Sequence, residues 1–239
     1  MVIRDAAPNV GALSLMVDLP MTRIHQLFAA AVTMIAIGGV ALPSERDLLL
    51  LSGAVVGDSL PPRWQKRVVR GSRTPLSIIR ADGGERFLSI SGQGQAAWFA
   101  LDLRNQSLSR EGVATLAYRM TVVPTGSDLA IAARSDAALR FYVAFEGTRR
   151  FLSNPRLLFY SLGTLPNGPR VQRSGTLCDI RLARTSSTAW QQLVVTPAAD
   201  AARECGWTDG RIVGVGVMQD SDQTGSPAAA DLRALVWTE

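Results

Sequence analysis

The stretch Val213-Gly-Val-Gly-Val-Met-Gln-Asp220-Ser-Asp222-Gln-Thr224-Gly225 decides how this chain is read. An apolar run leads into Asp220, Asp222 and Thr224 at the DxDxT spacing with which haloacid-dehalogenase-type phosphatases set a phosphoryl-accepting Asp beside an acid/base Asp. That chemistry also requires magnesium, a later Lys and further acidic residues from the loops of a Rossmann-like domain. Here 15 residues follow Thr224, the only Lys is Lys66 far upstream, and no βαβ succession surrounds the motif. The phosphatase reading fails. Val213 to Met218 reads instead as the penultimate strand, and Asp220 to Gly225 as the loop that turns it into the last one.

Working outward from that loop, the same rhythm recurs. Strand-like alternation marks Leu48 to Val56, Gln65 to Val69, Leu76 to Ala81, Phe87 to Ser91, Trp98 to Leu103 and Ala114 to Val123. It continues in Leu139 to Phe145, Leu157 to Tyr160, Cys178 to Leu182, Gln191 to Thr196, Ile212 to Met218 and Leu232 to Trp237. Turn clusters such as Asp82-Gly-Gly, Pro124-Thr-Gly and Pro166-Asn-Gly-Pro169 separate them. Many short strands with few helices predict an all-β fold, a β-sandwich or jelly roll of mostly antiparallel strands. One helix is expected, Pro197 to Cys205, with Thr196 as cap, Pro197 in the first turn and Gly206 as terminator.

Residues 1–41 have a different character. Met21-Thr-Arg-Ile-His-Gln precedes an apolar run, Leu27 to Leu42, that contains Gly39-Val-Ala41. A basic start, an apolar stretch and small residues at its end describe a secretory signal cleaved after Ala41, which places the rest in the periplasm or outside the cell. Such a signal begins near its own methionine, so Met21 is the expected start and Met1 to Pro20 an extension. An uncleaved anchor is the alternative, although the run is shorter than the roughly 20 residues of a comfortable span. Residues 42–239 are then a single domain.

Composition narrows the function classes. Hydrophobic residues at 47% against 19% charged describe a chain with a real core. The net charge of +5 persists without residues 1–41, which hold two Arg and two Asp. The basic residues are nearly all Arg, scattered between apolar positions with no basic run beside aromatics, so nucleic acid is not an expected partner. The single histidine, His25, lies in the segment to be removed. Without it the domain has no Ser-His-Asp or Cys-His mechanism and no His-ligated zinc or haem. Paired carboxylates remain for an alternative, a carbohydrate-active hydrolase, with Asp136, Glu146, Asp220, Asp222 and Asp231 as the pool.

Two cysteines, Cys178 and Cys205, form a disulfide in an oxidising compartment or stay as buried thiols. Gly92-Gln-Gly94-Gln-Ala-Ala97 satisfies GxGxxG/A, but the alternating Trp98 to Leu103 follows where a dinucleotide site needs a helix, so a glycine-rich hairpin is expected. The five tryptophans, Trp64, Trp98, Trp190, Trp207 and Trp237, divide between core packing and a sugar-stacking platform. Asp220, Asp222 and Thr224 either coordinate calcium through oxygen or bond to their own backbone and fix the loop.

From Leu60 to Trp237 the chain resembles the bacterial exported family called domain of unknown function 3047. The resemblance is carried by Leu60-Pro-Pro-Arg-Trp64, by Leu116-Ala-Tyr-Arg-Met-Thr-Val122 with Tyr118 and Met120 where the family has Trp, and by Ser135-Asp136-Ala-Ala-Leu-Arg140-Phe-Tyr-Val-Ala-Phe145 with Ser135 in place of a first Asp. Trp190 before a strand, and Gly214 to Gly225 followed by Ala230-Asp231-Leu232, complete it. It implies a secreted β-sandwich and lends no reaction. Asp136, Arg140 and Trp190 become the candidate ligand contacts, for a glycan or other cell-envelope ligand. An envelope-assembly role is the remaining alternative.

Overall fold

The computed structural model describes residues 43–70, 74–147 and 154–239, so the export segment read in residues 1–41 lies outside the described residues. Alternating sequence becomes strand over β1 (Glu45–Asp47), β2 (Trp64–Arg70), β3 (Leu76–Asp82), β4 (Glu85–Gln93), β5 (Ala96–Asp102), β6 (Val113–Val122) and β7 (Ala137–Phe145). The series continues through β8 (Arg156–Gly163), β9 (Val171–Ser174), β10 (Leu177–Ala183), β11 (Gln191–Val195), β12 (Ile212–Asp220) and β13 (Pro227–Thr238). They make two sheets. One has six strands in the order β11-β6-β13-β4-β3 with β1 also on β13, and the other has seven in the order β2-β5-β12-β7-β8-β10-β9. All pairs are antiparallel except β8 with β10.

The period of two residues puts alternate side chains into one core between the sheets. Leu88, Ile90, Tyr118, Met120 and Leu232 enter it from the six-stranded sheet, and Phe99, Leu101, Phe141, Val143, Val215 and Val217 from the seven-stranded one. Each such side chain contributes about 1.5–3 kcal/mol by leaving water. The fold is an all-β sandwich with one short connecting helix.

The stretch Leu48 to Val56 is not a strand. The Asp47 carboxylate accepts from the amides of Leu49 at 3.0 Å and Leu50 at 3.1 Å, which turns the chain into a 3-10 turn at Leu51–Gly53. Its leucines are apolar because Leu48, Leu49 and Leu51 plug the core, not because they pair. The glycine-rich stretch is likewise not a hairpin within one sheet. Gly94, at φ 62, and Gln95 carry the chain from β4 in one sheet to β5 in the other.

The helix α1 (Pro197–Asp200) runs on as a wider turn through Ala201–Cys205, and Gly206 at φ 74 ends it. Thr196 gives no side-chain cap. With its backbone at ψ 83 it contributes its carbonyl, which accepts from the Asp200 amide at 2.9 Å. Cys178 of β10 and Cys205 are joined in a disulfide across a Cα separation of 6.0 Å.

Candidate functional site

The loop after β12 and the start of β7 are far apart in sequence and meet in space. Asp136, just before β7, accepts from the Gln223 amide at 3.1 Å, the Thr224 amide at 2.7 Å and the Thr224 hydroxyl at 2.6 Å. Asp136 therefore latches the turn in which the DxDxT sequence ends. Thr224 passes the restraint on by accepting from the Ser226 amide at 3.2 Å. Ser221 ties the same loop to the other crossover: its amide donates to the Gln95 carbonyl at 2.9 Å and its hydroxyl to the same oxygen at 3.2 Å. Two of the connections between the sheets, β4 to β5 and β12 to β13, are thus fastened to each other.

Carboxylate oxygens of Asp136, Asp220 and Asp222 lie within 4.8 Å of one another, and these three are the described residues that could converge on a cation. Arg140 already supplies positive charge there, its guanidinium lying 3.2 Å from Asp220 and donating also to the Ser135 carbonyl. Burial pushes the Asp220 carboxyl up to about 7; Arg140 opposes the rise, while Asp222 and Asp136 add to it. Asp222 is a hydrogen-bond partner of Asp220.

From this point a polar row crosses the outer face of the seven-stranded sheet. Arg140 on β7 donates to the Ser161 hydroxyl on β8 at 2.5 Å, and Ser161 donates to Asp179 on β10 at 2.5 Å. Asp179 also lies 3.5 Å from Arg140 and 3.4 Å from Arg181. Most of the row's polar atoms are paired within it, as buried charge requires, while Arg140 Nε and Asp220 Oδ1 are buried without a hydrogen-bond partner among the described residues.

Beside it lies an aromatic floor. On β7 the side chains alternate, so that Phe141 and Val143 enter the core while Tyr142 and Ala144 take the opposite face with Phe159 of β8, Met218 of β12 and the half-buried Trp98 of β5. Ring centroids are 5.3 Å apart for Trp98 and Tyr142, 5.8 Å for Trp98 and Phe159, and 5.5 Å for Tyr142 and Phe159. β12 makes room for them. A Cβ at Gly216 would fall 2.6 Å from the Tyr142 hydroxyl oxygen and 2.2 Å from the Phe99 carbonyl oxygen, so the ring lies across a residue with no side chain. Burial raises the Tyr142 phenol above its ordinary value, and Arg67 on β2 works against the rise. Arg67 is exposed and is the cross-strand partner of Trp98.

The other sequence candidates lie elsewhere. Trp190 sits on the outer face of the six-stranded sheet, where its ring faces the guanidinium of Arg119 at 4.6 Å and of Arg233 at 4.8 Å and meets Phe87 edge-on. Arg119 is held by Asp231 at 2.7 Å. Trp190 is therefore not brought together with Asp136 and Arg140. Trp64 and Trp237 are core residues, their indole nitrogens donating to the carbonyls of Leu48 and Ser109. An open groove of about 840 Å³ runs along residues 123–127, 163–166 and 183–186, lined by aliphatic side chains such as Val123 and Leu165 together with hydroxyls and Arg184, without a carboxylate or an aromatic ring.

Sequence reasoning named Trp98 only as one of five tryptophans and missed Tyr142 and Phe159. The available signal was the outward position of aromatics on central strands, together with glycine at two successive outward positions of β12, Gly214 and Gly216.

No protein-family model matches the chain, and no curated protein does. Among solved structures it is similar to the glycoside hydrolase domain of Endo-D from Streptococcus pneumoniae R6, with 9% identity over 73% of this chain and a TM-score of 0.39; the chain spans 21% of that one. It is similar also to the family 11 carbohydrate-binding module of the cellulosomal cellulase Lic26A-Cel5E of Clostridium thermocellum, with 11% identity, 82% and 95% of the two chains covered and a TM-score of 0.46. A third similarity is to the endoglucanase cel12A from Rhodothermus marinus, with 16% identity, 82% and 96% covered and a TM-score of 0.42.

Proposed function

We propose that the chain is an exported, non-enzymatic β-sandwich that binds a cell-envelope glycan on the outer face of its seven-stranded sheet. The observation that carries this reading is the half-buried Trp98, backed by the buried rings of Tyr142 and Phe159, on the same face as the hydrogen-bonded row of Arg140, Ser161 and Asp179. A pyranose ring has an apolar face that stacks on an indole and a rim of hydroxyls that need donors and acceptors. Export rests on the sequence of residues 21–41 and on the family resemblance. The groove along residues 123–127 is a poorer fit because it offers no ring to stack on.

Binding is favoured over hydrolysis because the carboxylates that converge are engaged. Asp136 accepts from the loop backbone, and Asp179 and Asp220 face Arg140. A glycosidase needs one carboxyl to give a proton at the scissile oxygen and another to act across the sugar. The same engagement favours a loop fixed by its own hydrogen bonds over a calcium site at Asp220, Asp222 and Thr224, since the Thr224 hydroxyl is committed to Asp136.

Affinity electrophoresis of the full chain through gels containing envelope polysaccharides tests the reading. Retardation by at least one of them, abolished by Trp98→Ala with the near-ultraviolet dichroism of the fold retained, is the expected result. Retardation by none sinks the glycan reading, and retardation unchanged by Trp98→Ala moves it off this face.

A further inference from the structure

Within the glycan reading, on which this inference rests, we propose that the ligand is a carboxylated sugar polymer, a polyuronate, whose carboxylate is taken by Arg67 while the ring stacks on Trp98. Arg67 and Trp98 are directly opposite on the antiparallel pair β2 and β5, so their side chains share the outer face. Arg67 is exposed, and its charge acts on the Tyr142 phenol, which packs against Trp98. The guanidinium thus stands at the rim of the aromatic floor. Gln65, the next residue of β2 on the same face, is exposed as well and lies opposite Ala100.

The charges around the floor are unequal in their freedom. Asp179 and Asp220, the carboxylates of the polar row, are bound to Arg140, Ser161 and Arg181, whereas among the described residues no carboxylate pairs with Arg67. A sugar carboxylate arriving at the Trp98 side therefore meets a guanidinium without having to displace an existing partner. It meets no uncompensated negative charge from the row. A guanidinium takes a carboxylate through two parallel N–H···O bonds, which fixes the sugar's orientation as well as its charge. A neutral hydroxyl on the same guanidinium accepts one weaker bond.

The test compares polygalacturonate with the same polymer after methyl esterification, which keeps the ring and removes the charge. Wild-type full chain, titrated by tryptophan fluorescence, is expected to bind the acid form about tenfold or more tighter than the ester, the range that a hydrogen bond to a charged group supports. Arg67→Gln on this exposed edge strand should lose that preference, its affinity for the acid form falling to about that for the ester, and Trp98→Ala should weaken both. Equal affinity of the wild type for acid and ester, or an acid preference that survives in Arg67→Gln, overturns the polyuronate assignment and leaves glycan binding standing. Failure to bind either form, with saturable binding of a neutral envelope polysaccharide, overturns it too. Binding of no polysaccharide overturns both.

Discussion

At the scale of single residues, Asp136 and Asp220 are two carboxylates a few ångströms apart with opposite work. Asp136 is surrounded by donors from the Gln223 and Thr224 amides, so Asp136→Ala leaves those part-buried groups without their acceptor and the loop without its latch. The expected loss is about 2–4 kcal/mol of unfolding free energy, checked by urea denaturation. Asp220 is held up to about 7 by burial, against 3.8 for an ordinary carboxyl. The folded state then keeps a proton that the unfolded chain releases, so stability falls as pH rises between about 4 and 7 and levels off above that window. The groups facing it are Arg140, Asp222 and Asp136, and Asp102, whose pKa is lowered by Arg104, acts only below the window. Asp220→Asn should flatten the slope, as thermal melts across the window would read. A slope that persists assigns the proton to another group.

At the scale of elements, the outward glycine of β12 is as restrictive as any core residue. Gly216→Ala forces the new methyl against the Phe99 carbonyl and the Tyr142 ring, a clash expected to cost about 1–3 kcal/mol and to tilt Tyr142 off the floor. The Tyr142 fluorescence and the near-ultraviolet dichroism of Trp98 would report the tilt. The disulfide ties β10 to the turn that continues α1. Replacing both Cys178 and Cys205 by Ala should cost roughly 3–4 kcal/mol in chemical denaturation, by the loop it opens in the unfolded chain. The strands were legible in the sequence where one face is core and the other more exposed, as in β5 and β6, because the period of two survives there. It failed in two places for stated reasons. Edge strands such as β1 and β9 bury little and carry little pattern, and Leu48 to Leu51 is apolar because it plugs an end.

At the scale of the whole molecule, the loop sequence Asp220 to Gly225 and the motif around Asp136 were legible as separate features. Their meeting was not, because it depends on β12 and β7 being neighbours in one sheet, and strand order is not written in any local pattern. The proposed binding face was hidden for the same reason: Trp98, Tyr142 and Phe159 come from three strands. The sandwich keeps its two outer faces chemically distinct. One carries Trp190 between arginines, the other the aromatic floor with its polar row. The Trp98 indole nitrogen is buried without an acceptor among the described residues, which makes it a reporter for anything that docks there. The most direct measurement is the indole N–H spectrum of the full chain during titration with an envelope polysaccharide it retards on. The account predicts a saturable shift of the Trp98 resonance while that of Trp190 stays in place. A shift of Trp190 with Trp98 unmoved would contradict it.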